Sequence, residues 1–132
     1  MSFLLDTDIC SAHLRRPPGL AHRFIQYGGR LNLSTVTLGE LYAWAHRRAD
    51  PEPLLTLVHE LLGDIPVLPY DERCAWEFGR IRGKLLREGA TVGTADVMIA
   101  AVALVHNLTV VTHNTAHFVN IPGLRLEDWL TP

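Results

Sequence analysis

At 132 residues, 48% of them hydrophobic, the chain is long enough for one domain with a single core, and residues 1–132 are expected to form it. A formal net charge of -2 excludes nucleic-acid binding by bulk electrostatics, so any such binding must be local.

Short apolar runs alternate with longer segments of helical period, the pattern of βαβ units on a parallel sheet. Phe3–Leu5 opens the chain as a buried strand, and Asp6 and Asp8 follow where it ends. The first helix is expected from Ile9 to about Leu14, with Asp8 as its N-cap, and stops before Pro17–Pro18–Gly19 because proline disfavours helical geometry in the residue before it. A second short helix covers Leu20–Tyr27 and ends at Gly28–Gly29. After a strand at Leu31–Ser34, Thr37 reads as the cap of a helix through Arg48, with Glu40 three residues on as in a capping box.

Asp50 opens a helix from Pro51 to Leu62, closed by Gly63. Its stripe of Leu54, Leu55, Leu57, Val58, Leu61 and Leu62 is broad enough to serve a partner as well as the core. Pro66–Leu68 is the third strand, and Asp71–Glu88 the longest helix, ended by Gly89. Thr94 then caps a helix through His106 that is apolar nearly all round and therefore central, with Asn107 as its stop. Strands at Thr109–Thr112 and Leu124–Leu126 complete an α/β fold, a parallel sheet of four to five strands sandwiched between helices. No run approaches the roughly 20 apolar residues that span a bilayer. The first residues also lack a basic leader segment, so a cytoplasmic protein without a membrane partner is expected. Cys10 and Cys74, far apart within apolar patterns, read as buried reduced thiols.

In a parallel sheet the carboxyl ends of the strands share one edge, where ligands bind. Asp6 ends the first strand, Glu40 opens the helix after the second, and Asp96 opens the apolar helix leading into Thr109–Thr112. Singly, each acid has an ordinary explanation as a cap or as a favourable charge in a first helical turn. Together they do not, because Asp6 and Asp96 flank strongly apolar segments where an unpaired carboxylate is costly. Clustered carboxylates repel unless a cation sits between them, and an oxygen-only set suits Mg²⁺ or Mn²⁺, which can drive phosphodiester hydrolysis.

The combination FLLDTDI, STVTLGEL, LPYDERCAWEFGRIRGKL, GTADVMIAAVAL and LTVVTHNTAHFVNIPGLRLEDW resembles the PIN-domain ribonucleases of the VapC type, toxins of bacterial toxin–antitoxin pairs, over almost the whole chain. The resemblance implies a single PIN-like domain and a metal-dependent endoribonuclease cleaving structured RNA such as tRNA or rRNA. It implies Asp6, Asp96 and Glu40 as metal ligands, with Mg²⁺ or Mn²⁺ as cofactor. The family's fourth acid falls where this chain has Asn114 or His117. Asn114 can still coordinate or place a water, Thr115 offers a hydroxyl, and His117 is a candidate ligand, RNA contact or general acid. Asp8, often Asn in relatives, could return part of the missing charge, beside its reading as a plain cap.

Arg15, Arg16, Arg80, Arg82 and Arg87 are candidate phosphate contacts, since 11 of the 12 basic residues are Arg. The implied partners are RNA, a VapB-type antitoxin expected on the Pro51–Leu62 face and the Leu41–Trp44 turn, and a second copy in a homodimer. Two alternatives stand beside this reading. One is a PIN-like fold without catalysis, serving as an RNA- or protein-binding module. The other is a haloacid-dehalogenase-like phosphatase, for which FLLDTD fits but a later lysine motif is missing. The His113/His117 spacing invites zinc only on a helix, and here it follows a strand.

Overall fold

The computed structural model describes residues 1–15 and 20–131. Arg16 and the Pro17–Pro18–Gly19 stop therefore lie outside the described residues. The elements run β1 Phe3–Leu5, α1 Thr7–Leu14, α2 Leu20–Gln26, β2 Leu31–Ser34, α3 Thr35–His46, α4 Glu52–Asp64, β3 Val67–Leu68, α5 Glu72–Arg87, α6 Thr94–His106, β4 Thr109–Val111 and β5 Leu126–Glu127, with a 3-10 turn at Thr115–His117. All five strands are parallel, in the order β3-β2-β1-β4-β5.

The central strand shows why the sheet needs helices on both faces. Phe3 and Leu5 enter a core with Ile9, Leu20, Leu41, Val58 and Leu61 from α1 to α4, whereas Leu4 enters a second core with Ile81, Leu85, Val97 and Ala101 from α5 and α6. Side chains alternate across a strand, so a run that is apolar at every position has both faces covered. The even apolarity of α6 follows from the same cause, since Val97 and Ile99–Ala103 are all fully buried. Asn107 ends α6 in the left-handed conformation at φ 56°, as its position after the apolar run predicts.

Several boundaries differ from the sequence reading. Helix α1 begins at Thr7, so Asp6 and not Asp8 is its cap, accepting from the Thr7 amide at 2.7 Å. Helix α4 runs on through Gly63 to Asp64. Thr94 is the first residue of α6, and its cap residue is Gly93, without a side-chain bond. Helix α3 is capped by Ser34, whose hydroxyl accepts from the Thr37 amide at 3.0 Å, so the expected box of Thr37 and Glu40 does not form.

A pair of variants checks this reassignment. Ser34→Ala should cost about 1 kcal/mol by leaving a buried amide unpaired. The Thr37 hydroxyl is buried without a partner, so Thr37→Val should leave stability unchanged or raise it by up to about 1 kcal/mol. Urea unfolding of the two variants measures both, and a larger loss at Thr37 would restore the original cap.

Candidate metal centre at the carboxyl edge of the sheet

The strand order reverses beside β1: β2 and β3 lie on one side and β4, which follows α6, on the other. Such a switch point opens a crevice at the carboxyl ends of the strands. The register Leu5↔Val111 sets Asp6 beside Thr112 across that crevice. Asp6 is 5% exposed, and its Oδ2 accepts the buried Thr112 hydroxyl at 2.8 Å. The Thr112 oxygen in turn accepts the Asn114 amide at 3.1 Å, which ties the loop after β4 to the first acid.

Three further acids gather around this pair. The Thr7 hydroxyl donates to Glu40 Oε1, so Thr7 joins Asp6, through its amide, to Glu40, through its side chain. Asp8 lies in the first turn of α1. Its Oδ2 accepts the His113 amide at 3.0 Å and stands 3.5 Å from the Thr112 hydroxyl. Asp96, half-buried in the first turn of α6, meets His117 Nδ1 at 3.2 Å.

The electrostatics match the crowding. Burial pushes the Asp6 carboxyl up from its ordinary 3.8 to about 7, and the charges of Asp8 and Asp96 add to the push against the bonds from Thr112 and Thr7. Burial also raises Asp96, outweighing the contact with His117 that lowers it, and Asp8 raises it further. Two carboxyls held above their usual range by burial and by neighbouring acids mark a place short of positive charge.

Does this set fit a cation? The donors are carboxylate oxygens, as a hard dication requires, and Asp8 Oδ1 is buried with no hydrogen-bond partner. Among the described residues no three His, Cys, Asp or Glu side chains are already closed around one point. Like charges stay apart on their own, and the short chain of bonds from Thr112 to Asp6 and from His113 to Asp8 sets where they stand. The residues fit the ion in kind and in charge.

The remaining candidates fall in different places. Asn114 and Thr115 lie on the loop after β4, Asn114 exposed and Thr115 half-buried, with no side-chain bond to the acids. Arg15 and Arg87 are exposed. The Arg80 guanidinium pairs with Glu77, and Arg82 donates to the Val92 carbonyl at 3.0 Å and to the Thr94 hydroxyl at 3.3 Å. Arg82 thereby clamps the segment that leads into Asp96. His113 turns to Asp128 at 3.1 Å while His117 turns to Asp96, so the two rings take different partners, in keeping with the sequence reading against a zinc pair. Thr7 and Thr112 are the site residues that sequence reasoning passed over. The signal for Thr112 was its position, a hydroxyl ending a strand beside Asp6.

Comparison with known proteins adds the following. The PIN domain family matches residues 3–124. The tRNA(fMet)-specific endonuclease VapC of Shigella flexneri is 39% identical over 130 residues, 98% of each chain, and ribonuclease VapC2 of Haemophilus influenzae is 32% identical over 131 residues, covering 98% of this chain and 99% of that one. In structure, the chain is similar to DNA-bound VapBC from Salmonella typhimurium, with a TM-score of 0.93 at 38% identity over 98% of each chain. It is also similar to VapBC2 from Rickettsia felis bound to a promoter DNA fragment, with a TM-score of 0.92 at 26% identity over 98% and 99%.

Proposed function

Because this chain belongs to the PIN-domain family, among its VapC-type ribonucleases, we propose that it is a divalent-metal-dependent endoribonuclease and the toxin of a VapBC-type pair. The observation that supports the reading is that Asp6 and Asp8 share the Thr112 hydroxyl, more than 100 positions away in sequence, at the sheet edge, with Asp96 near enough for its charge to act on Asp6. Asp6 and Asp96 hold the cation, Mg²⁺ or Mn²⁺, with Glu40 nearby through Thr7. When bound, the ion supplies Lewis-acid polarisation of a phosphoryl oxygen and acidifies a water.

The chain's own residues do the positioning. Thr112 holds the Asp6 carboxylate through its hydroxyl, and Thr7 keeps Glu40 beside it. Asn114 and Thr115 offer an amide and a hydroxyl to the substrate phosphate from the loop after β4. His117, exposed and against Asp96, is a further candidate contact for the same phosphate. Arg15 and Arg87, both exposed, are the phosphate contacts, with Arg16 outside the described residues and Arg80 and Arg82 available only by leaving Glu77 and the Val92 carbonyl.

The substrate is a structured cellular RNA, tRNA or rRNA, and the setting is the cytoplasm; among the described residues no helix is long and apolar enough to cross a membrane. The test is RNA cleavage with Mg²⁺ or Mn²⁺ by the wild type, Asp6→Asn and Asp96→Asn. Equal cleavage by all of them would sink the reading.

A partner surface supports the toxin half of the proposal. Phe24 and Ile25 of α2 face Leu57 and Leu61 of α4 across a groove of about 540 Å³, rimmed by Glu60 and Asp64. Ile25 is 81% exposed. The α4 stripe buries Val58 and Leu61 but leaves Leu54, Leu55, Leu57 and Leu62 part-exposed, as its breadth in the sequence suggests. An apolar, basic-flanked antitoxin segment fits there. Trp76 and Leu86, 70% and 67% exposed on α5, are the apolar surface a homodimer would use.

A further inference from the structure

Among the four acids Asp8 alone has a buried carboxylate oxygen without a hydrogen-bond partner. The cap it could have formed belongs to Asp6. One of its oxygens, Oδ2, is anchored by the His113 amide at 3.0 Å; the other, Oδ1, is buried and accepts no hydrogen bond. A buried carboxylate oxygen with nothing donating to it costs stability. Nothing in the packing of α1 requires an acid at this position, since Ile9, Cys10, Ala12 and Leu14 supply its buried face.

The other residues that could complete an acidic set are engaged. Glu40 takes the Thr7 hydroxyl, and the residue that the loop after β4 brings onto Asp96 is His117, a base. We propose that Asp8, through its uncovered Oδ1, is a direct ligand of the divalent cation and completes an Asp6–Asp8–Asp96 set in place of an acid on the loop after β4. The inference rests on the metal-dependent reading above. Its physical content is a division of labour within one carboxylate: the backbone N–H on Oδ2 fixes the side chain, which leaves Oδ1 as a preset donor. Affinity for a hard dication rises with the number of carboxylates offered to it, so the third charge is worth its metal-free cost.

Titration of Mn²⁺ into the full chain, followed by calorimetry and by the paramagnetic resonance of the free ion, reads this without turnover. Asp8→Asn keeps an acceptor for the His113 amide, so the fold should stand. It should weaken Mn²⁺ binding about tenfold or more. It should also raise the melting temperature in EDTA and shrink the upward shift that Mn²⁺ produces. Adding His117→Glu to Asp8→Asn puts an acid back beside Asp96 and should recover most of the affinity.

Wild-type affinity in Asp8→Asn overturns the proposal. So does a lower melting temperature in EDTA with an unchanged Mn²⁺ shift, the mark of a merely structural carboxylate. Asp6→Asn and Asp96→Asn separate the two readings. If they lose Mn²⁺ and Asp8→Asn does not, the Asp8 assignment alone fails; if none of the three changes binding, the metal reading itself is wrong.

Discussion

Asp6→Asn is expected to lower RNA cleavage about a thousandfold or more while making the metal-free protein more stable above neutral pH. The first half follows from the loss of a principal cation ligand: several kcal/mol of transition-state stabilisation, at about 1.4 kcal/mol per factor of ten, amounts to roughly three orders of magnitude. Asp96→Asn should lose a similar factor.

The second half follows from the Asp6 carboxyl standing at about 7 in the fold against 3.8 as its ordinary value. An acid raised on folding binds more protons in the native state than in the unfolded chain between those two values, so stability falls as pH rises through that window. Below about 4 both states are protonated and nothing is lost; above about 7 the full cost, up to about 4 kcal/mol, is present. In EDTA the wild type should therefore lose stability from pH 4 to pH 7. Asp6→Asn should show a flatter profile and a higher melting temperature at pH 8. Asn can still accept the Thr7 amide, which keeps the helix cap. Thermal melts across pH, set beside cleavage assays, check both halves. Activity and stability falling together would instead make Asp6 a structural acid.

The groove between α2 and α4 carries the second large effect. The double variant Ile25→Glu/Leu57→Glu should abolish neutralisation by the cognate antitoxin, weakening the complex about a hundredfold or more, while cleavage by the free toxin stays at the wild-type level. Ile25 is 81% exposed, whereas Leu57 is part-exposed and also packs against the core of α1 to α4, so a thermal melt of the double variant accompanies the assay and Ile25→Glu alone should show the same direction of effect. Two charges placed in an apolar contact remove anchor residues of the kind that cost 2 kcal/mol or more each, and they add to the negative rim of Glu60 and Asp64. Growth on co-expression with the antitoxin, and co-elution of the purified pair, read the result. A pair that still co-elutes and still grows would place the antitoxin elsewhere.

What could be read from the sequence was what local periodicity encodes. The strands at Phe3–Leu5 and Leu31–Ser34 stand as read, and α6 ends at the predicted His106 with its stop at Asn107, although Thr94 is its first residue and not its cap. These follow from burial on two faces of a sheet or all round a helix, which leaves an unbroken apolar run in the chain itself. Asp6 at the end of such a run was equally legible, because an acid there contradicts its surroundings.

Partners across the fold were not legible. Asp8 and Asp6 both suit a helix cap on propensity, and the choice between them came from α1 beginning at Thr7, which gave Asp6 the cap and left Asp8 to the His113 amide 105 residues away. Thr112 entered the site because parallel register put Val111 beside Leu5, and Glu40 was drawn to Thr7 once Ser34 had taken the cap of α3. Arg82 has the same side chain as any phosphate contact, yet the packing of α5 against α6 gave it a carbonyl to hold. The physical reason is common to all of these: a short polar side chain satisfies whichever donor or acceptor the tertiary fold brings within about 3 Å, and that neighbour is set by strand order and register, quantities that no local pattern records.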